Sequence, residues 1–373
     1  MKAIVKWLLG TVVAAGAVGC ATLLSHAGNP YFDASKQHHT ATGFRNNYPH
    51  PTDQSFWQWQ YERFMANLPP PAPAGGWSSV LPQSRPDIAF LRENRSERSL
   101  TWLGHATVLL QTAGVNIITD PMFSERASPV RFAGPKRQVQ LALPIDELPV
   151  IDVVFVSHNH YDHLDADTIR AFSARFPGAV YVVPLGFKPW LVDHGVAPSQ
   201  VRELDWWDRI RLRALDFTLV PAQHWSKRTL TDTNRMLWGG VVIEDRNAPG
   251  GREPRADAAP WRFLYTGDTG YSRDFADIGS RFAGGFDWIA VPIGAYEPRW
   301  FMKAQHINPD EAVQIMKDVG ARQALAVHWG TFVLTDEPLD QPPKDLAKSL
   351  DRHGVMPQRF HVFKNGETRR LQD

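Results

Sequence analysis

A single cysteine, Cys20, stands in 373 residues. It excludes an intrachain disulfide and any cluster of thiolate metal ligands. Neither sign of charge dominates: 40 Lys and Arg face 39 Asp and Glu, a formal net charge of +1 at pH 7. No long basic run occurs, so the electrostatic stripe expected of a nucleic-acid partner is missing. No internal repeat of fixed short period is found. What the chain does have is a 43% share of hydrophobic residues, with 29 Pro and 27 Gly. That is ample for a large core in one domain or two.

The N-terminus carries a targeting pattern. Lys2 and Lys6 flank the start of an apolar run, Trp7 to Gly19, that closes on Ala17-Val18-Gly19-Cys20. A basic start, an apolar centre and small residues before a boundary fit a secretory signal. The Cys after small residues resembles the bacterial lipobox, with Ala17 where Leu is commoner. It implies a lipidated Cys20 at the start of the mature chain. The alternative is an uncleaved anchor, because Trp7 to Ser25 carries no charge and approaches the roughly 20 residues that span a bilayer. The expectation is an exported protein of the bacterial cell envelope, held to the membrane by an N-terminal lipid anchor.

Residues 1–20 are therefore set apart as signal or anchor, and 21–98 as an arm that packs on the core or reaches toward a membrane. The arm is rich in Pro, Asn, Trp and His, and Pro69-Pro70-Pro71-Ala72-Pro73 breaks it. Phe56, Trp57, Gln60, Phe64 and Leu68 recur near helical spacing and predict a helix over 55–68. Beyond Leu100 strands and helices alternate. Helices are predicted over 166–175 and over 309–319, the latter with Asn308 as cap and Gly320 as stop. The polar Pro/Gly stretch 246–259 reads as a loop between two strands.

The chemistry gathers at His158, His160, Asp162 and His163, which form H-N-H-Y-D-H directly after the apolar run Val153-Val154-Phe155-Val156. Residues two apart on an extended segment point the same way, so His158 and His160 can pinch one ion. Past the turn, Asp162 and His163 can face a neighbouring one. Other ligand-type residues recur just past apolar strands: His224 after Phe217–Val220, Asp268 after Phe263–Thr266, His328 after Ala324–Val327 and Asp120 after Val115–Thr119. Taken singly, each is ordinary. Repeated, the placement points to one shared sheet edge, where sites in layered α/β proteins lie.

A ligand count suggests two ions. His158, His160 and His224 make one set; Asp162, His163 and His328 make another; Asp268 has two oxygens and can bridge. Paired ions about 3.5–4 Å apart stabilise both attacking and leaving oxygens of a displacement. Nitrogen-rich ligation favours zinc, with iron or manganese as alternatives for a mixed N/O set.

These residues resemble the metallo-β-lactamase fold superfamily and, over about 101–366, the family of N-acylphosphatidylethanolamine-hydrolysing phospholipases D. The stretches that carry the likeness begin with Trp102-Leu103-Gly104-His105-Ala106-Thr107 and Gly134-Pro135-Lys136-Arg137. They continue with the run from Gln223 to Thr229 and with Gly267-Asp268-Thr269-Gly270-Tyr271. The longest runs from Pro292 to Lys303, and His328-Trp329-Gly330-Thr331-Phe332 closes the set. The resemblance implies an α/β, four-layer αββα sandwich over 99–373 with two zinc ions in the cleft at the sheet edges. The seven positions named above are its implied ligands, and Asp120 its implied orienting residue behind them. Ser226 departs from the family pattern, which has Cys there, and the 246–259 loop is longer. The first hundred residues match poorly.

The implied reaction is hydrolysis of a phosphodiester to N-acylethanolamine and phosphatidic acid. Asp268 would orient the attacking water and accept its proton, at ions that lower the pKa of water from 15.7 to about 7. His306 is a candidate for catalysis and substrate contact, with a helix-flanking role as the plain alternative. Tyr161 is a second substrate-contacting candidate. Trp206, Trp207, Trp225, Trp300 and Trp329 lie near these blocks and suggest an acyl-chain groove. Expected partners are a phospholipid substrate, a membrane surface and a second copy in a homodimer, with no nucleic acid. Hydrolysis of a lactone or other small carbonyl substrate, and a metal-dependent nuclease, remain the competing readings.

Overall fold

Residues 28–50, 54–246 and 259–371 are described by a computed structural model. The N-terminal apolar segment with Cys20, and most of the 246–259 stretch, lie outside the described residues. The described chain begins with a small hairpin, β1 (His39–Thr40) and β2 (Gly43–Phe44), followed by helices α1 (Phe56–Ala66) and α2 (Ile88–Glu93). The Ser55 side chain accepts from the Gln58 N–H to start α1, and Asn67, with φ of 53°, ends it. The apolar spacing thus forms the expected helix, but only Trp59 of α1 is buried.

Two seven-stranded sheets follow. Strands β3 (Ser99–Trp102), β4 (Val108–Thr112), β5 (Val115–Thr119) and β6 (Val153–Phe155) build the first. After helix α3 (Ala166–Arg175) come β7 (Val180–Pro184), helix α4 (Lys188–Asp193) and β8 (Val201–Leu204). The second sheet takes β9 (Arg209–Leu212), β10 (Leu215–Val220), β11 (Gly240–Asp245) and β12 (Trp261–Tyr265). Helix α5 (Asp274–Arg281) leads to β13 (Phe286–Pro292). Helices α6 (Arg299–Met302) and α7 (Pro309–Asp318) precede β14 (Ala321–Val327), and α8 (Gln341–His353) precedes β15 (Phe360–His361). The last strand, β16 (Thr368–Arg370), returns to the first sheet beside β3.

The sheet orders are β16-β3-β4-β5-β6-β7-β8 and β15-β14-β13-β12-β11-β10-β9. Pairing is parallel from β5 through β8 and from β12 through β15. Because β11 is antiparallel to both β10 and β12, those two strands also run the same way. The C-terminal ends of β10, β12 and β14 therefore lie on one side of their sheet.

Buried side chains from both sheets make one continuous core: Leu110, Ile117 and Phe155 meet Phe217, Val242, Phe263 and Val291. A second cluster packs Ile169 and Phe172 of α3 and Leu191 of α4 against Val154 and Tyr181. Fully buried strands with parallel neighbours read as unbroken apolar runs, as Val153–Phe155 does. Each such side chain removed from water contributes roughly 1.5–3 kcal/mol. The result is the mixed α/β, two-sheet architecture expected. Helix α3 has the expected span, and α7 ends one residue earlier than expected, at Asp318, with Val319 as its cap. In α7, Asn308 and Glu311 cap each other reciprocally and Pro309 opens the first turn.

The arm is fastened at several points. The Tyr31 hydroxyl donates to Glu203 at 3.2 Å. His38 Nε2 and His39 Nε2 meet Asp205 Oδ1 and Oδ2 at 2.7 and 2.9 Å, and Lys36 Nζ meets Oδ2 at 2.5 Å. His38 also stacks on Trp206, with ring centroids 4.4 Å apart. Burial opposes ionisation of Asp205, yet the bonds from His38 and Lys36 hold its carboxyl well below the usual carboxylate range. Lys36 already supplies the positive charge that a metal would bring, so this buried group closes as an ion-paired clasp.

Candidate metal centre

Strand ends from both sheets deliver the donors. His158 and His160 follow β6, His224 follows β10, Asp268 follows β12 and His328 follows β14, all by one to five residues. The β12 turn depends on Gly267. Its φ is +64°, and a Cβ there would lie 2.8 Å from Ser157 Cβ. His105, Asp120 and His328 hold left-handed backbone, with φ of 50°, 35° and 59°. Such conformations in non-glycine residues are costly and cluster at functional sites.

Among the groups of ligand atoms that lie within 4.8 Å of one another are His158, His160 and His224, and His105, Asp162, His163 and His328; His224, Asp268 and His306 form a further one. His158 Nε2 is 2.9 Å from His160 Nδ1, which is 3.3 Å from His224 Nε2. Asp162 Oδ2 lies 3.3 Å from His163 Nε2 and 3.2 Å from His328 Nε2. Asp268 Oδ2 stands between the groups, 3.1 Å from His163 Nε2, 3.0 Å from His328 Nε2 and 4.0 Å from His158 Nε2. All seven sequence-predicted ligand positions thus meet at one place.

The opposite ring nitrogens are pinned from outside. His163 Nδ1 meets Asp120 Oδ2 at 2.6 Å, His158 Nδ1 meets Ser157 Oγ at 2.9 Å, and His224 Nδ1 meets the Gln305 carbonyl at 3.0 Å. Such contacts fix the tautomer and aim the free nitrogen inward, as around bound metal. Asp120, fully buried, also accepts from Ser157 N–H at 2.7 Å, Ser157 Oγ at 2.6 Å and the Tyr265 hydroxyl at 2.6 Å. His163 Nε2 is buried with no hydrogen-bond partner among the described residues, although it points between two carboxylates. Converging imidazole nitrogens and carboxylate oxygens, with a buried ring nitrogen left unpartnered, fit divalent metal ions.

The electrostatics divide the groups. Burial, reinforced by neighbouring imidazoles, holds His158 and His224 well below the usual histidine range; burial takes His160 down to about 4. Depressed in this way, those rings favour the neutral form that ligation requires. In the other group burial also opposes protonation, but Asp268 and Asp162 outweigh it. His163 is held well above its ordinary value and His328 is raised to about 9. The two carboxyls are likewise held low by His163 against the cost of burial.

His160, Asp162, Asp268 and His306 line a cavity of about 870 Å³ together with Phe56, Trp59, Phe301, Met302 and Leu334. Lys227, Arg228 and Leu230 belong to its wall. His306 Nδ1 is 3.8 Å from Asp268 Oδ2, and burial lowers its pKa to about 4. Tyr161 also lines the cavity, with its hydroxyl donating to the Arg228 carbonyl at 2.7 Å and the Arg228 guanidinium 4.1 Å over its ring. Of the five tryptophans marked for an acyl-chain groove, only Trp225 lines it; Trp206 and Trp329 are buried in the core. The apolar wall comes instead from α1 and α6, which touch through Trp59 stacked on Phe301 at 4.8 Å.

Sequence reasoning left His105 without a role. Its Nε2 lies 2.9 Å from Asp162 Oδ2, its ring is 4.1 Å from that of His328, and burial lowers its pKa to about 3. The available signal was a histidine in the turn after β3, on the same edge as the others. Asn46 and Gln305, which hold His224, gave no such signal.

Residues 115–329 match the model of the β-lactamase superfamily domain. The chain is 41% identical over 258 residues to the N-acyl-phosphatidylethanolamine-hydrolyzing phospholipase D 1 of Caenorhabditis elegans, covering 67% of this chain and 68% of that one. It is 36% identical over 273 residues to the mitochondrial N-acyl-phosphatidylethanolamine-hydrolyzing phospholipase D of Saccharomyces cerevisiae, covering 72% of this chain and 55% of that one. Among solved structures, the isothiocyanate hydrolase from Delia radicum gut bacteria superposes with a TM-score of 0.56 at 18% identity, over 73% of this chain and 98% of that one.

Proposed function

Because the chain belongs to the β-lactamase superfamily, and within it to the family of N-acylphosphatidylethanolamine-hydrolysing phospholipases D, we propose that it is a two-zinc phosphodiesterase acting on N-acylphosphatidylethanolamine-type phospholipids. The observation that carries this reading is the position of Asp268 Oδ2. It lies within 3.1 Å of His163 and His328 of one donor group and 4.0 Å from His158 of the other, and it lines a cavity that apolar side chains also line. In this reading His158, His160 and His224 would hold one ion and Asp162, His163 and His328 the other, with the Asp268 carboxylate available to both. The ions, when bound, supply positive charge to the phosphoryl oxygens and acidify water.

The chain's own groups do the rest. Asp268 orients the attacking water and accepts its proton. A P–O bond forms to that water and the P–O bond to the N-acylethanolamine oxygen breaks; the departing alkoxide takes up the proton that Asp268 accepted, and phosphatidic acid remains. Asp120 keeps His163 in the tautomer that presents Nε2 inward. His306, a neutral imidazole at pH 7 because burial depresses its pKa, offers a hydrogen bond to substrate beside Asp268. Lys227 and Arg228 place positive charge in the cavity wall where an anionic phosphodiester enters.

A membrane location fits the surface around this cavity. Trp57, Tyr61, Phe64, Met65 and Leu68 are exposed on or just past α1, Trp57 and Phe64 by 80% and 82%. They recur at the helical spacing that normally faces a core, yet here they face outward. In this reading the exposed stripe contacts a bilayer interface, which apolar patches of this kind serve. Leu230, 94% exposed, stands in the same cavity's wall. Among the described residues no helix is long and apolar enough to cross a membrane. In this reading attachment rests on the surface stripe and on a lipidated Cys20 in the cell envelope.

The test offers the zinc-loaded full chain N-acylphosphatidylethanolamine, a lactone panel and single-stranded RNA. Release of N-acylethanolamine with phosphatidic acid is expected; turnover of lactone alone overturns the lipid reading. Labelling with a radioactive fatty acid, compared with Cys20→Ser, tests the anchor.

A further inference from the structure

Asn46 belongs to the arm, yet its carboxamide grips both peptide groups of His224. Its Oδ1 accepts from the His224 N–H at 3.1 Å, and its Nδ2 donates to the His224 carbonyl at 2.9 Å. The remaining capacity is also used: Trp238 Nε1 donates to Oδ1 at 3.2 Å, and Nδ2 meets His50 Nε2 at 3.0 Å. An amide has two donor hydrogens and an oxygen that accepts twice. All four are engaged, so the side chain has one orientation.

Both flanks of this grip are tied to the core. Upstream, Lys36, His38 and His39 close on Asp205, and Phe44 N–H donates to the Asn234 carbonyl at 2.8 Å. Gly43 permits that approach, since a Cβ there would lie 2.0 Å from the same oxygen. Downstream, Asn47 donates to Asp274 at 2.8 Å and the Tyr48 hydroxyl bonds to Asp277. The arm therefore straps the 221–239 segment that carries His224, and Asn46 is the buckle.

From this geometry we infer that Asn46 is a positioning residue for His224, and that docking of the 28–50 arm is thermodynamically coupled to metal occupancy of the His158–His160–His224 group. This rests on the assignment of His224 as a ligand under the proposed function. Fixing a ligand's backbone lowers the cost of gathering donors around an ion. Loss of an orienting partner of a ligand typically weakens metal affinity 10–100-fold. By reciprocity, a bound ion holds the arm down by the same factor.

The experiment measures zinc affinity of the full chain by chelator competition, with circular dichroism as a check on folding of the metal-free form. Asn46→Ala is expected to weaken one of two zinc equivalents at least about tenfold and to leave the other unchanged. In a His224→Ala background the same substitution is expected to add nothing. Asp205→Asn, which touches no residue of the metal cluster, is expected to weaken the same equivalent and serves where Asn46→Ala does not fold. A folded Asn46→Ala protein with both affinities within about twofold of the parent, or effects of Asn46→Ala and His224→Ala that simply add, overturns the inference alone. Unchanged zinc affinity in His224→Ala removes the ligand assignment, and the inference with it.

Discussion

Asp120 Oδ2 sits 2.6 Å from His163 Nδ1, and the same oxygen takes the Tyr265 hydroxyl at 2.6 Å. One buried carboxylate thus aims a candidate ligand from one sheet while tied to a strand of the other. Asp120→Ala leaves the Ser157, Tyr265 and His163 donors without their acceptor, each worth roughly 1–3 kcal/mol when buried and unpaired. Chemical denaturation is expected to show a loss of several kcal/mol. Asp120→Asn keeps the volume and is expected to lose zinc affinity about 10–100-fold with a smaller stability change. Unaltered zinc affinity in Asp120→Asn would deny the orienting role.

Asp268→Asn keeps the shape of the side chain that stands between the two donor groups but removes its charge and basicity. Turnover of phosphodiester is expected to fall at least about 100-fold, the scale of a lost acid–base group. One zinc equivalent should be held more weakly. Steady-state rates at saturating zinc separate the two effects, and a fully active variant would refute the bridging assignment.

The two donor groups should load differently with pH. In the metal-free chain His328, raised to about 9, and His163, also raised, carry protons at neutral pH, while His158, His160 and His224 do not. Ligation needs neutral imidazole. Zinc entry at Asp162, His163 and His328 therefore expels protons, and its affinity should rise with pH until His328 titrates near 9. The raised pair also stabilises the metal-free fold fully below the ordinary histidine value, a contribution lost as pH climbs through about 9. The depressed trio has the opposite sign: its contribution is present above the ordinary value and lost as pH falls, for His160 through about 4. Proton release into weak buffer during zinc titration checks this. Equal release at both equivalents would contradict the division.

The outward stripe on α1 can be tested apart from the chemistry. Trp57→Ser with Phe64→Ser removes two exposed aromatic rings without touching Trp59, which anchors the helix. Co-sedimentation with phosphatidylcholine–phosphatidylethanolamine vesicles is expected to drop at least about tenfold on area grounds. Turnover of a monodisperse short-chain substrate should stay within about twofold. Undiminished vesicle binding would reject the stripe as a membrane contact.

How much of this was legible in the sequence depends on range. His158, His160 and Asp162 lie two apart, and each further donor follows an apolar run, so local spacing revealed them. The parallel run of β10 with β12 then brought the strand ends together as expected. His105 was missed because its partner Asp162 is 57 residues away, in a turn with no period to read. Asn46 is 178 residues from His224, and nothing in its own neighbourhood marks it as a buckle. Helix α1 was visible as a helix, but an apolar stripe alone does not say which side of it faces water. The cavity's apolar wall was sought in tryptophans beside the motifs, whereas packing chose Phe56, Trp59 and Phe301.

Donors after β6 come from one seven-stranded sheet, and those after β10, β12 and β14 come from the other. Occupied by the proposed ions, the centre would act as a rivet through both halves of the sandwich, at the rim where these strand ends meet. Drawing the rivet should loosen the seam from that rim inward, so that amide exchange quickens in Ser157–Leu164 and Gly267–Gly270 together, before either sheet yields at its far edge.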